Sequence, residues 1–197
     1  MRLQQEPWLA DHVVFFSYRW ITWLIAAQAV LWIAYPSGYA WILLVGAVLN
    51  ITLTWFAQVY NRIAHNYPVM LVIDILIMIS MLNTITHYNN NTLLFLFLPY
   101  ALSSIIPSAL FWSWRGGVIA GLAFVMFDRL ALFVQNINQF SVLNQAWFTI
   151  AILMLVPPVF GYAFPFLIDW LRQRRIQRKQ EIVQQHWSVF DQHDELH

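Results

Sequence analysis

Six long apolar stretches follow one another along the chain, at residues 13–35, 40–60, 67–86, 92–112, 116–135 and 146–169. Short polar, turn-like connectors separate them: residues 36–38, 61–66, 87–91, 113–115 and 136–144. About 20 apolar residues suffice to cross a bilayer as a helix. Only helices or closed barrels can span lipid, because every backbone polar group needs an internal partner. None of the six stretches alternates apolar and polar residues, so the pattern predicts helices. The expected fold is an all-α integral membrane protein, a six-transmembrane-helix bundle over residues 1–169. A basic, amphipathic cytoplasmic helix is expected over residues 170–197.

Composition agrees. The 197 residues are 60% hydrophobic and 10% charged, with a mean hydropathy of +0.59. Soluble domains sit near about 45–50% apolar and about 25% charged. Six spans use roughly 120 residues, which leaves short loops and one tail. Cysteine is absent, which removes disulfides, thiolate metal sites and cysteine nucleophiles. The first apolar run contains Arg19 and has no small-residue cleavage site after it, so no cleaved signal peptide is expected.

Charge placement orients the bundle. Arg2 precedes the first stretch, Arg62 lies between the second and third, and Arg115 between the fourth and fifth. Arg172, Arg174, Arg175, Arg178 and Lys179 follow the sixth. The other three connectors contain no Lys or Arg. With six spans every basic segment falls on one side, and by the positive-inside rule both termini are cytoplasmic. The location expected is therefore the cell's inner (plasma) membrane. Trp112, Trp114, Trp147, Trp170 and several Tyr residues lie near stretch ends, the depth amphipathic rings prefer.

Ionisable residues inside a span are expensive and mark candidate sites. There are four: Arg19, Asp74, Asp128 and Arg129. At 1.5 Å rise per residue, Arg19 lies about 9 Å and Asp74 about 10 Å from the inner surface. Equal depth and opposite charge predict an ion pair between the first and third spans; the alternative is that Arg19 snorkels and Asp74 is protonated or bonds water. Asp128 and Arg129 lie about 18 Å in by the same count. They either line an outward-facing polar cavity with Asn83, Thr84 and Thr86, or sit at the outer interface. Proline at 99, 107, 157, 158 and 165 offers kinks. Gly117 and Gly121 form a small-residue packing step.

No histidine lies mid-span: His12, His65 and His87 are interfacial, and His186, His193 and His197 are in the tail. This gives no support for haem in the bundle. His193 and His197 have a metal-compatible spacing but no accompanying carboxylate or thiolate cluster. No Ser/His/Asp set, phosphate-binding Gly loop or paired-carboxylate motif is present. The expectation is no enzyme activity, no cofactor, no metal site and no nucleic-acid partner.

Arg172, Arg174, Arg175, Arg178 and Lys179 form a polybasic juxtamembrane segment, which anionic lipid attracts by about 1 kcal/mol per charge. Beyond it, Ile176, Gln180, Val183, Trp187 and Phe190 recur at spacings of four and three. That is a two-heptad seam, suited either to a partner helix in a homodimer or with another membrane protein, or to the membrane surface.

The run Phe16-Ser17-Tyr18-Arg19-Trp20, Asp74 near the start of the third stretch, and residues 98–122 with Pro99 and Arg115-Gly116-Gly117 resemble membrane-embedded input domains of bacterial sensor histidine kinases. The resemblance covers roughly residues 12–180. It implies a sensor or regulatory module that signals from its sixth helix through the C-terminal helix to a partner. The connector at residues 87–91 departs from the Gly-rich form common in that family. No nucleotide-binding domain follows His197, so kinase activity is not expected of this chain. The alternatives are an accessory subunit of a larger respiratory or photosynthetic membrane complex, or a small transporter.

Overall fold

The computed structural model describes residues 8–33, 40–88, 91–134 and 139–194. The turn at 36–38, the 89–90 pair and His197 lie outside them. Among the described residues all regular structure is helical: α1 (Trp8–Ile33), α2 (Ala40–Trp55), α3 (Ala57–Asn66), α4 (Val69–Tyr88), α5 (Asn91–Leu102), α6 (Ile106–Val134) and α7 (Gln139–Asp194).

Three segments are helical, long and apolar enough to cross a membrane: Val13–Trp32, Ile106–Ala131 and Ile150–Glu181. The pair Trp41–Trp55 and Ala57–Asn66 would make a fourth span if counted as one, but it bends by 88°. Val69–Ile85 and Leu93–Leu102 are shorter apolar helices. Only about a third of each long segment is buried (33%, 28% and 28%), so most of their apolar surface points outward. Trp32, Trp55, Phe133, Leu44 and Leu155 are among the exposed side chains. A soluble domain rarely displays an apolar face of this extent.

Two stretches differ from the sequence reading by breaking early, each for a physical reason. The second stretch does not run straight to residue 60. Phe56 leaves helical geometry (φ −99°, ψ 29°) and α3 turns away, because Gln58, Asn61, Arg62, His65 and Asn66 would otherwise be drawn into the apolar layer. Residues 61–66 are thus helix rather than turn. The fourth stretch breaks after Leu102, where Ser103, Ser104 and Ile105 donate to the carbonyls of Tyr100, Ala101 and Leu102. This tight three-residue bonding replaces the α-pattern four residues after Pro99.

The expected connector at 113–115, by contrast, coincides with a break, although it falls within the residue range of α6. Trp112 (φ −123°, ψ 20°) and Ser113 (φ 55°, ψ −152°) are not helical there. A methyl group on Gly116 would fall on the Ser108 carbonyl oxygen. In an unbroken helix those residues would be about 12 Å apart, so the chain doubles back at Trp112–Ser113. Ile106–Ala131 is therefore an elbow with two arms rather than one rod. Gly116 is required because the arms meet where its side chain would stand.

The sixth stretch begins earlier and ends later than expected: α7 is one helix of 56 residues that carries Pro157, Pro158 and Pro165 without interruption. Its main neighbour is α6. A methyl on Gly117 would fall on the Gly161 carbonyl oxygen, and one on Gly161 on that of Gly117. One turn further, a methyl on Gly121 would lie 2.6 Å from the Pro157 carbonyl oxygen. Small residues on both helices let the two backbones touch, as in close membrane helix pairs.

The core has two parts. The larger gathers Ala26, Ile42, Met78, Ile79, Leu82, Phe97 and Phe124 from α1, α2, α4, α5 and α6. The smaller joins Phe15, Ile106, Ala109, Phe164 and Ile168, with Tyr60 of α3 packed against it. Next to Phe15 of the smaller group and Tyr100 of the larger sits the largest fully buried side chain among the described residues, and it is an arginine.

Candidate functional site

Arg19 occurs in the middle of α1 and is 0% exposed. An isolated charge in such a place would cost many kcal/mol, so its partners decide whether the fold tolerates it. Nη1 and Nη2 donate to Oδ2 and Oδ1 of Asp74, each at 2.9 Å. This is the two-pronged guanidinium–carboxylate geometry, stronger and more directional than a single contact. Nε donates to Asn50 Oδ1 at 2.8 Å. The same oxygen accepts from the Tyr100 hydroxyl at 3.0 Å. The guanidinium carbon lies 5.8 Å from the Phe15 ring centre and 5.9 Å from that of Tyr100, within cation–π range.

The network joins four helices: Arg19 from α1, Asn50 from α2, Asp74 from α4 and Tyr100 from α5. The backbones of α1 and α4 do not pack closely along their length; α1 lies mainly against α5 and α2. The length of the arginine side chain closes that gap. Beside it, the Tyr18 hydroxyl donates to the Pro99 carbonyl oxygen at 3.0 Å. That carbonyl is free for it because Ser103 N–H turns to Tyr100 instead. Three buried polar atoms near this centre have no hydrogen-bond partner: Asn50 Nδ2, Trp23 Nε1 and Tyr60 Oη.

Asn50 and Tyr100 are not among the candidates read from sequence. A signal for Asn50 was present, since it is a lone amide between Leu49 and Ile51 in an otherwise apolar run. Tyr100 gave none, because a tyrosine in an apolar helix is ordinarily packing. Asp128 is buried and is held by its neighbour: Arg129 donates from Nε at 3.1 Å and from Nη2 at 2.6 Å. The guanidinium curls back, so adjacency on the helix does not keep the two apart. Asn83 is also buried, and the Thr84 hydroxyl donates to its own helix at the Ser80 carbonyl. The side chain of Thr86 lies outside the described residues.

In the tail, Arg172 pairs with Asp169 at 3.2 Å and Arg174 stacks over Trp170 with 4.2 Å to the ring centre. Arg175, Arg178 and Lys179 are exposed. Ile176 and Val183 are exposed on the same helix, at 56% and 53%. Trp187 and Phe190 continue that helix, with side chains outside the described residues. No group of three or more His, Cys, Asp or Glu side chains capable of holding a metal occurs among the described residues.

What this arrangement can do chemically is limited and specific. The charge pair is fully enclosed by protein, so it acts as a joint between helices rather than as an open binding surface. A family model described as "Domain of unknown function (DUF8745)" matches residues 3–173. No curated protein and no solved structure matches the chain.

Proposed function

The chain belongs to the DUF8745 family, and we propose that this member is a membrane-embedded input or regulatory module that passes a change in its bundle to a partner through α7. The observation that carries this reading is α7 itself. One helix runs from inside the bundle, where Phe164 and Ile168 are buried, to an exposed basic extension. A continuous helix of 56 residues carries a shift or rotation along its length, because outside Pro157, Pro158 and Pro165 its backbone hydrogen bonds are internal. The family match stops at residue 173, where that exposed extension begins.

The reading takes six spans with both termini cytoplasmic. The elbow at Trp112–Ser113 supports it by dividing α6, so that α5 with the first arm of α6 makes one crossing and the second arm another. The bend after Trp55 supports it too, since α3 with Arg62 then lies along the inner surface. In this reading the chain is not an enzyme. The resemblance to histidine kinase input domains supplies the direction of signalling, and the seam at Ile176, Gln180, Val183, Trp187 and Phe190 supplies a homodimer contact.

Cysteine scanning of residues 176–187 in native membranes tests the proposal. Disulfide dimers should form in highest yield at Ile176, Gln180, Val183 and Trp187, with low yield between them. Uniformly absent crosslinks, together with stoichiometric recovery of other chains, would instead make it an accessory subunit of a larger complex.

A further inference from the structure

A second polar feature lies where the elbow of α6 meets α7. A cavity of about 50 Å³ opens between the elbow and α7. Ala109, Pro165 and Ile168 make its apolar wall, and Ser113, Asp169 and Arg172 make its polar rim. We infer that this pocket binds the phosphoethanolamine headgroup of a membrane lipid, phosphate on Arg172 and ammonium on Asp169. The inference rests on the six-span placement above, which sets the pocket at the inner headgroup layer.

Three observations carry it. The rim holds one cation and one anion, with Arg172 Nη1 3.2 Å from Asp169 Oδ1. Both side chains are about half exposed (43% and 57%). A zwitterion extends such a pair into a ring of alternating charges, whereas a purely anionic headgroup would meet Asp169 as a like charge. Size gives the second. A water-sized occupant needs about 10–15 Å³ on this measure, so roughly three to five small groups fit, room for the three heavy atoms of an ammonioethyl arm. A trimethylammonium group adds bulk and has no N–H to donate to the carboxylate.

The third is Ser113. Its φ of 55° with ψ of −152° is a region that side chains other than glycine rarely enter, at a cost of about 1–3 kcal/mol. A serine in that conformation puts a hydroxyl at the rim, where a phosphate oxygen can accept from it. Trp112, Trp114 and Trp170 are each about half exposed and are close in sequence to Ser113, Asp169 and Arg172, with the ring type that favours headgroup depth.

The test is native mass spectrometry of the full chain, equilibrated in micelles with equal amounts of phosphatidylethanolamine, phosphatidylcholine and phosphatidylglycerol of matched acyl chains. Retention of the ethanolamine lipid over the choline lipid should be about tenfold, as expected for one charge-assisted hydrogen bond. Asp169→Asn should bring that ratio close to one. Arg172→Gln should lower retention of both. Arg178→Gln with Lys179→Gln, outside the pocket, should leave the ratio unchanged, and all variants should keep the parent's gel-filtration profile. Equal retention of ethanolamine and choline lipids, preferential retention of phosphatidylglycerol, or an unchanged ratio in Asp169→Asn would each overturn the assignment. Displacement by soluble phosphoethanolamine at equal concentration would overturn a lipid as the source. The placement is read separately: a cysteine at Ser113 (Ser113→Cys) should react with impermeant maleimide only from the cytoplasmic face. Labelling from outside refutes the six-span placement while the lipid ratio is still read on its own.

Discussion

Replacing Arg19 by alanine removes both contacts to Asp74 and the donor to Asn50 in one step. Asp74 is then left 5% exposed without its cation. Breaking a buried pair from one side costs about 3–5 kcal/mol, and Asp74→Ala should cost a similar amount by stranding the guanidinium. In a chain of this size each kcal/mol moves the unfolding midpoint by about 2–4 °C, so each single variant should melt about 10 °C lower. The double variant strands no charge, and replacing both members of a buried pair is often close to neutral. Its loss should therefore fall below the sum of the singles by more than about 3 kcal/mol. The 11 tryptophans make intrinsic fluorescence during thermal unfolding in detergent a direct assay. Strict additivity of the two single losses would refute the idea that the pair is one energetic unit.

Other variants probe the supporting structure. Gly117→Ala should destabilise by about 1–3 kcal/mol through overpacking against Gly161, and cysteine pairs across α6 and α7 should crosslink less efficiently. Ser113→Gly should raise the melting point by a few degrees: release of about 1–3 kcal/mol of backbone strain outweighs the entropy of glycine, about 0.5–1 kcal/mol. Tyr18→Phe removes the donor to the Pro99 carbonyl and should cost about 1 kcal/mol, read from the same melting curves.

Much of this architecture is legible in the sequence, and the residues that resist reading do so for identifiable reasons. Helical character follows from uninterrupted apolar runs, and Arg19 and Asp74 stand out because a charge in such a run must find a partner. Equal depth, counted from the rise per residue, is enough to match them. Asn50 and Tyr100 complete the network through rotamers and helix orientation, which periodicity does not encode. The bend at Phe56 could have been anticipated from the polar residues clustered over 58–66. The elbow at Trp112–Ser113 falls at the edge of the connector read at 113–115, but its backbone conformation is not legible, because serine seldom adopts it. The contact of Gly117 with Gly161 needs knowledge of both helices at once, although each small residue is visible alone. The continuity of α7 through three prolines runs against their usual effect in isolation; its packing on α6 maintains it.

If the bundle signals through α7, its state is read at the exposed extension of that helix. The most direct measurement is the disulfide yield from a cysteine at position 183 (Val183→Cys) in native membranes, compared with the same substitution carrying Asp74→Asn. That change weakens the joint among α1, α2, α4 and α5 while leaving α7 itself untouched. The yield at 183 should shift, and the peak of the 176–187 scan should move to a neighbouring helical face. An identical yield and an identical peak, in a variant that remains folded by gel filtration, would contradict signalling through α7.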